Sequence, residues 1–179
     1  MTSHTTAIPL PARAAENPAL AASLAVFVIA LAAIGGAWFF QIVLNILPCP
    51  LCLEQRYAYY MAIPAAALVA IAAARGAPPP LLLAGLAVLA FATLANAGLG
   101  TYHAGVEWGF WQGPTDCTGP GIGPGNAADL LKQLDTVRVI RCDEVQWRFL
   151  GLSLAGYNVL ISLLMAAIAA WGFVRTARR

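Results

Sequence analysis

The sequence predicts an all-α membrane protein, a four-transmembrane-helix bundle with a short CxxC-bearing loop and a long cysteine-bearing loop on one side. Two observations carry that reading. Charged residues are 10% of the 179 residues, against roughly a quarter in soluble domains, and 60% of the chain is hydrophobic. Four runs, about 19–40, 57–74, 81–99 and 149–174, contain no Asp, Glu, Lys or Arg, and each can cross about 30 Å of hydrocarbon as a helix. Once those spans are subtracted, no second large domain fits, so 19–174 reads as a single membrane domain. A net charge of +2 with Lys132 as the lone lysine gives no basic patch, which excludes nucleic acid as a partner.

Residues 1–18, "MTSHTTAIPLPARAAENP", read as a short polar leader on the cytoplasmic side. With Arg13 before it, the first run could pass for a cleaved signal peptide. Its length of about 22 residues exceeds the usual 7–15 of a signal core and favours an uncleaved span. A short stretch, about 41–56, leads to the second run. Between the second and third runs "RGAPPP" is too short and proline-rich for anything but a turn, so these spans form a helical hairpin. A long loop, about 100–148, precedes the fourth span, and 175–179 form a cytoplasmic tail. Pro64 and Asn158 lie inside spans, where packing against neighbouring helices is the plainest account of both. No internal repeat of fixed period is present.

Four spans put both termini and the "RGAPPP" turn on one side and the two cysteine-bearing loops on the other. Arg13, Arg75, Arg175, Arg178 and Arg179 lie on the first side and Arg56, Lys132, Arg138, Arg141 and Arg148 on the other, so only the crowding of the first set into short flanks, as cytoplasmic flanks have it, separates the sides. Cys49, Cys52, Cys117 and Cys142 all fall on the other side and none inside a span. Four thiols in one compartment fit an oxidising space such as a bacterial periplasm.

Two structural bridges would be the bland account of four cysteines. A Cys117–Cys142 bridge closing about 26 residues would contribute about 3–4 kcal/mol in the chain-entropy view, enough to justify the second pair. It leaves the first pair unexplained, because closing "CPLC" removes little chain entropy, and cysteines so spaced more often do chemistry or bind metal. Pro50 suits the first position of a helix, which puts Cys49 at its N-cap and Cys52 in its first turn, near the positive helix end. Arg56 follows Cys52 by four residues and comes round to the same face. Both features favour a thiolate. Arg56 could otherwise be an interfacial anchor whose head reaches the lipid headgroups.

In the long loop, "WQGPTDCTGPGIGPGN" surrounds Cys117 with glycine and proline, which keeps it reachable. Leu130, Leu131, Leu134, Val137 and Ile140 recur at near-helical spacing and predict a short amphipathic helix, lying on the membrane or packed on the other loop. Trp108, Phe110 and Trp111 read as an interfacial aromatic belt. His103 and Glu107, in "TYHAGVEW", are candidates for proton handling, an interfacial polar contact being the other reading of His103.

"PCPLCLEQR", the separated Cys117/Cys142 pair and "CDEVQWRFLGL" leading into the last span, in that order and spacing, resemble the bacterial disulfide bond formation protein B family, DsbB. The resemblance runs from about Ala19 to Val174. It implies an oxidoreductase of the bacterial inner membrane that makes disulfides de novo. Such an enzyme reoxidises a periplasmic thioredoxin-fold dithiol oxidase of the DsbA type and passes the electrons to a membrane-diffusible quinone, ubiquinone or menaquinone. By the same resemblance Cys117 accepts the partner's thiol, Cys142 then attacks Cys49, and Cys52 is the thiolate that meets the quinone, with Arg56 and His103 as cofactor-binding residues. His103 stands one residue earlier than the histidine of the best-known members.

No resident metal is expected. The vitamin K epoxide reductase family shares the chemistry, but its loop cysteines precede its CxxC. A four-cysteine zinc site or a disulfide-stapled scaffold without catalysis is the competing reading, and Arg56, a cation beside a metal-binding thiolate, argues against the first. Haem attachment fails because Leu53, not histidine, follows Cys52.

Overall fold

The computed structural model describes residues 17–114 and 141–179, so Cys117 and the amphipathic stretch 126–140 lie outside the described residues, as does most of the leader. Four helices dominate: α1 (Pro18–Ile42), α2 (Pro50–Ala74), α3 (Pro79–Glu107) and α4 (Leu154–Ala177). All four are long and apolar enough to span a bilayer, which makes the chain a multi-pass, all-α membrane protein. A hairpin of two-residue strands, β1 (Arg148–Phe149) and β2 (Leu152–Ser153), precedes α4.

Three of the four helices start where a side chain accepts from an unpaired N–H group, while α3 opens at Pro78 and Pro79 with no side-chain cap. Asn17 accepts from the backbone N–H of Leu20 at 3.2 Å, with Pro18 next, and its amide also donates to the carbonyl of Ala73, tying the start of α1 to the end of α2. Cys49 caps α2, its sulfur accepting from the Cys52 N–H at 3.3 Å, and Pro50 follows as the first helical residue. Ser153 caps α4 by accepting from Gly156 N–H.

Two boundaries differ from those the apolar runs suggest. Hydropathy marks where lipid begins, whereas hydrogen bonding carries a helix past it. The second helix therefore starts at Pro50, one full turn and more before the run at Tyr57, and α3 continues about two turns beyond Leu99 to Glu107. The fourth starts later than its run, because Leu150 and Gly151, with φ of +49° and +82°, make the tight turn between β1 and β2.

The helices form a four-membered ring in which α1 packs on α2 and α4, and α3 packs on α2 and α4. Close approach rests on small residues. Ala19, Ala22, Ser23, Val26 and Ala30 make the buried stripe of α1, and a Cβ on Gly172 of α4 would run into that of Ala22. Large apolar side chains such as Met61, Leu68 and Phe91 point outward instead, as suits a lipid-facing surface.

Inside the ring lies one polar layer. Tyr59 donates to Asn158 Oδ1 at 2.5 Å, and Asn96 Nδ2 donates to the same oxygen at 3.2 Å and to Ser162 Oγ at 3.0 Å. Asn158 thus packs against neighbouring helices as its place within a span suggests, with specific partners on α2 and α3. The up-and-down order leaves the C-terminal ends of α1 and α3 and the N-terminal ends of α2 and α4 together at one end of the bundle. Among the described residues, all three cysteines and His103 are there.

Candidate functional site

Helix α2 presents Cys52, Gln55, Arg56 and Tyr59 along one face, the i, i+3, i+4, i+7 spacing that stacks side chains in a stripe. Cys49, at the cap, stands above that stripe. Both cysteines are free thiols, Cys49 buried and Cys52 partly so, with their sulfurs 3.0 Å apart. His103, 2% exposed, comes from α3 to meet them, with Nε2 3.5 Å from Cys49 Sγ and Nδ1 2.8 Å from Gln55 Nε2. An amide NH₂ can only donate, so Nδ1 accepts and the ring proton sits at Nε2, aimed at the sulfur. Glu107, one turn on, brings Oε1 to 3.9 Å from the same ring nitrogen.

Either sulfur could hold the proton they share. The other donors decide: the Cys52 backbone N–H and His103 Nε2 both reach Cys49. Hydrogen bonding from Cys52, helped by His103 and opposed by burial, holds the Cys49 thiol down at about 5, far below the ordinary 9.0. In the dithiol form the charge therefore rests on Cys49, not on Cys52. The resemblance instead assigns to Cys52 the thiolate that meets the quinone.

Arg56 takes a direction the i+4 spacing alone does not give. Its guanidinium donates to Gln41 Oε1 at 2.6 Å and to the Ala37 carbonyl at 3.3 Å, and lies 5.6 Å from the centroid of the Trp38 ring. It leans away from the sulfurs onto the end of α1. It nevertheless lines the same cavity as both cysteines, a space of about 400 Å³ enclosed by all four helices and the segment before α4. Ala33, Gly36, Ala37 and Phe40 of α1 and Ile161 of α4 make its walls apolar, while Cys49, Cys52, Arg56, His103 and Glu107 supply polar groups at one end. That is the volume and polarity pattern of a small-molecule site.

Aromatic rings frame it. Trp147 lies 4.9 Å from the Phe40 centroid and stacks on Phe149 at 5.9 Å, so the "QW.F" stretch closes one side of the cavity against α1. Trp111 has another place: the chain turns back at Gly109, φ +72°, and the indole lies over Gly105, where a Cβ would collide with it. It stacks on Tyr102 and donates to that residue's carbonyl at 2.7 Å.

Cys142 is buried and packs in one cluster with Cys49, Leu51 and Val106, so the second loop brings its described cysteine against the first pair. It is itself disulfide-bonded. On either side of it Arg141 and Asp143 form an exposed two-pronged ion pair at 2.6 and 3.0 Å, of little energetic weight. Cys117 lies outside the described residues. Of the six candidate residues, five are thus located, and Cys49, Cys52, Arg56 and His103 share one cavity. Gln55 and Gln41 escaped the sequence reading, and Trp147 entered it only as part of "CDEVQWRFLGL", without its place in the cavity wall. Gln55 was within reach, lying one turn after Cys52 on the same face, but nothing in the sequence says that Gln41 meets Arg56.

Comparison with known proteins identifies a family. Residues 20–172 match the family described as Disulfide bond formation protein DsbB. The chain is 33% identical over 154 residues to the disulfide bond formation protein B of Hahella chejuensis, covering 80% of this chain and 87% of that one. The protein of that name from Nitrosococcus oceani is 33% identical over 148 residues, 78% and 82% of the two chains. That from Nitrosospira multiformis is 30% identical over 163 residues, 86% and 90%.

Proposed function

The chain belongs to the DsbB family of disulfide bond formation proteins, and from that premise we propose that it is a thiol:quinone oxidoreductase that reoxidises a thioredoxin-fold dithiol oxidase. Membership itself makes it a disulfide-generating membrane oxidoreductase. The observation that carries the finer reading is the shared cavity: two sulfurs 3.0 Å apart open onto an apolar space between membrane helices, with Arg56 and His103 on its wall.

That cavity fits a quinone head. Its volume and apolar walls suit a flat, lipid-soluble ring, and Arg56, His103 and the thiols stand at one end, where a ring oxygen would be met. A quinone supplies there an acceptor for two electrons and two protons. Arg56, anchored by Gln41, offers a fixed positive charge to oxygen that becomes negative, at no reorganisation cost during reaction. His103 holds a proton at Nε2 beside Cys49 and, with Glu107 behind it, can pass one on. Phe40 and Trp147 line the same cavity and would help to keep water from the reacting sulfurs.

Electrons reach the first pair by thiol–disulfide exchange. The partner's thiolate attacks Cys117, the Cys117–Cys142 bond breaks, and Cys142 leaves as thiolate. Cys142 then attacks Cys49 of the oxidised first pair, releasing Cys52. Packing of Cys142 in the Cys49 cluster supports that order. A second partner thiol resolves the mixed disulfide and frees Cys117 as thiolate, which attacks Cys142, re-forms the Cys117–Cys142 bond and releases Cys49, so the first pair ends reduced while the partner ends oxidised.

We place the cysteine end in the periplasm of a bacterial inner membrane. Arg75, Arg175, Arg178 and Arg179 lie at the opposite end, with residues 1–18 and 175–179 cytoplasmic and 19–174 as the single membrane domain. Anaerobic mixing of a reduced thioredoxin-fold oxidase with quinone tests the reading. Loss of quinone absorbance is expected only when this protein is added. Equal rates with and without it would leave a stapled scaffold.

A further inference from the structure

The same groups that can carry electrons also make a set of metal ligands, and they do so only in one redox state. Cys49 Sγ, Cys52 Sγ and one nitrogen of His103 all lie within 4.8 Å of one another. Tetrahedral zinc with bonds of about 2.3 Å to sulfur and 2.0–2.1 Å to nitrogen sets S···N at about 3.5 Å and S···S at about 3.8 Å. The observed Cys49 Sγ–His103 Nε2 distance is 3.5 Å, and the sulfurs, now 3.0 Å apart, need to separate by less than an ångström.

Glu107 lies outside that mutually close set and would have to move inward to serve as a fourth ligand. The Glu107 side chain is only 6% exposed, its Oε1 is 3.9 Å from His103 Nε2, and its buried Oε2 has no hydrogen-bond partner among the described residues. A buried carboxylate oxygen left bare is costly, and a cation is one way to satisfy it. Gln55 completes the surroundings: if its amide turns over, Oε1 accepts from Nδ1–H and leaves the Nε2 lone pair free for a metal, the usual outer support of a histidine ligand. Arg56 does not oppose this, since its guanidinium is drawn off onto Gln41 and Ala37.

We propose that the reduced protein traps one thiophilic divalent cation, with Zn²⁺ as the natural ligand, on Cys49, Cys52, His103 and Glu107, and that the trapped cation stalls the enzyme. Binding moves no electrons. The cation displaces whatever protons the two sulfurs hold, and both sulfurs become metal-bound thiolates. Neither is then free to form the disulfide, and removing the cation restores the dithiol. The oxidised pair offers no thiolates and no site. This goes beyond the quinone reaction and does not depend on it.

Co²⁺ titration of the full-length chain in detergent tests the proposal directly. A Cys117→Ser/Cys142→Ser background confines thiols to the first pair. The reduced protein is expected to take up one equivalent of Co²⁺ with sulfur-to-metal charge-transfer and tetrahedral d–d absorption, both abolished by Zn²⁺. The same protein oxidised should show neither band, a comparison that needs no further variant. Gln55→Leu should weaken Co²⁺ binding by about 10- to 100-fold, and His103→Ala by at least as much. No absorption from the reduced protein, or equal affinity in His103→Ala and Glu107→Gln, overturns the site. A failed quinone assay leaves this titration unaffected, and a failed titration leaves the quinone reading standing.

Discussion

The imidazole of His103 stands with Nε2 3.5 Å from the sulfur of Cys49. The contact joins the start of α2 to the end of α3, residues 54 apart in the chain, and it helps to set which cysteine carries charge when the pair is reduced. With Cys52 and His103 both donating, Cys49 is held down at about 5 from an ordinary 9.0. The reduced protein should therefore be alkylated at Cys49 with a rate whose midpoint lies near pH 5, and His103→Ala should move that midpoint upward. The sign for stability follows: a lowered thiol value stabilises the dithiol form fully above pH 9 and loses that contribution as pH falls towards 5. A midpoint at the ordinary thiol value would refute the contact's role.

Arg56 is held by Gln41 at 2.6 Å rather than by a sulfur, so its substitution should separate quinone binding from thiol exchange. Arg56→Ala is expected to raise the apparent KM for quinone while leaving exchange with the partner oxidase little changed. Arg56→Lys should restore part of the loss, since a point charge lacks the planar fork. Gln41→Leu should act in the same direction but less, by freeing the guanidinium from its place. Unchanged quinone kinetics in all three would return Arg56 to the status of an interfacial anchor.

For the polar layer the expected effect is on stability, and it is small. Tyr59→Phe removes one hydrogen bond to Asn158, whose Oδ1 keeps its bond from Asn96. Bonds of this kind between membrane helices contribute about 0.6 kcal/mol on average and at most about 1.7. Denaturation of the purified protein by a harsh detergent should show a loss in that range. A loss several times larger would mean that the layer organises the bundle rather than merely joining it.

Cys142 lies buried in the Cys49 cluster, where it can resolve what forms at the second loop. Cys142→Ser mixed with the oxidised partner should accumulate a covalent complex, because the Cys117 thiolate opens the partner's disulfide, freeing its other cysteine, and no Cys142 is left to displace it; the complex is visible on non-reducing gels and dispersed by reductant. Turnover of quinone by this variant without any such complex would reverse the relay order.

How far the sequence discloses all this depends on how local each feature is. Four uncharged runs announce four helices because lipid tolerates little else, and "PCPLC" announces an N-capped thiol pair because Pro50 and Cys49 act within one turn. Helix ends proved less legible: α3 runs on to Glu107 through residues no more polar than a loop's, and Leu150 takes a left-handed turn its side chain does not favour. The contacts that make the site are between helices, and so stay hidden. Nothing local says that His103 meets Cys49 rather than the headgroups, or that Arg56 turns to Gln41.

A single turnover tests the central claim, that the first cysteine pair delivers electrons into the cavity. Fully reduced Cys117→Ser/Cys142→Ser protein, free of metal, is mixed anaerobically with excess quinone. Quinol is then counted by absorbance, and the state of each thiol is read by mass spectrometry after alkylation. The account predicts one quinol per protein and a Cys49–Cys52 disulfide formed at the same rate. No quinol, or quinol formed while both thiols stay free to alkylate, would contradict it.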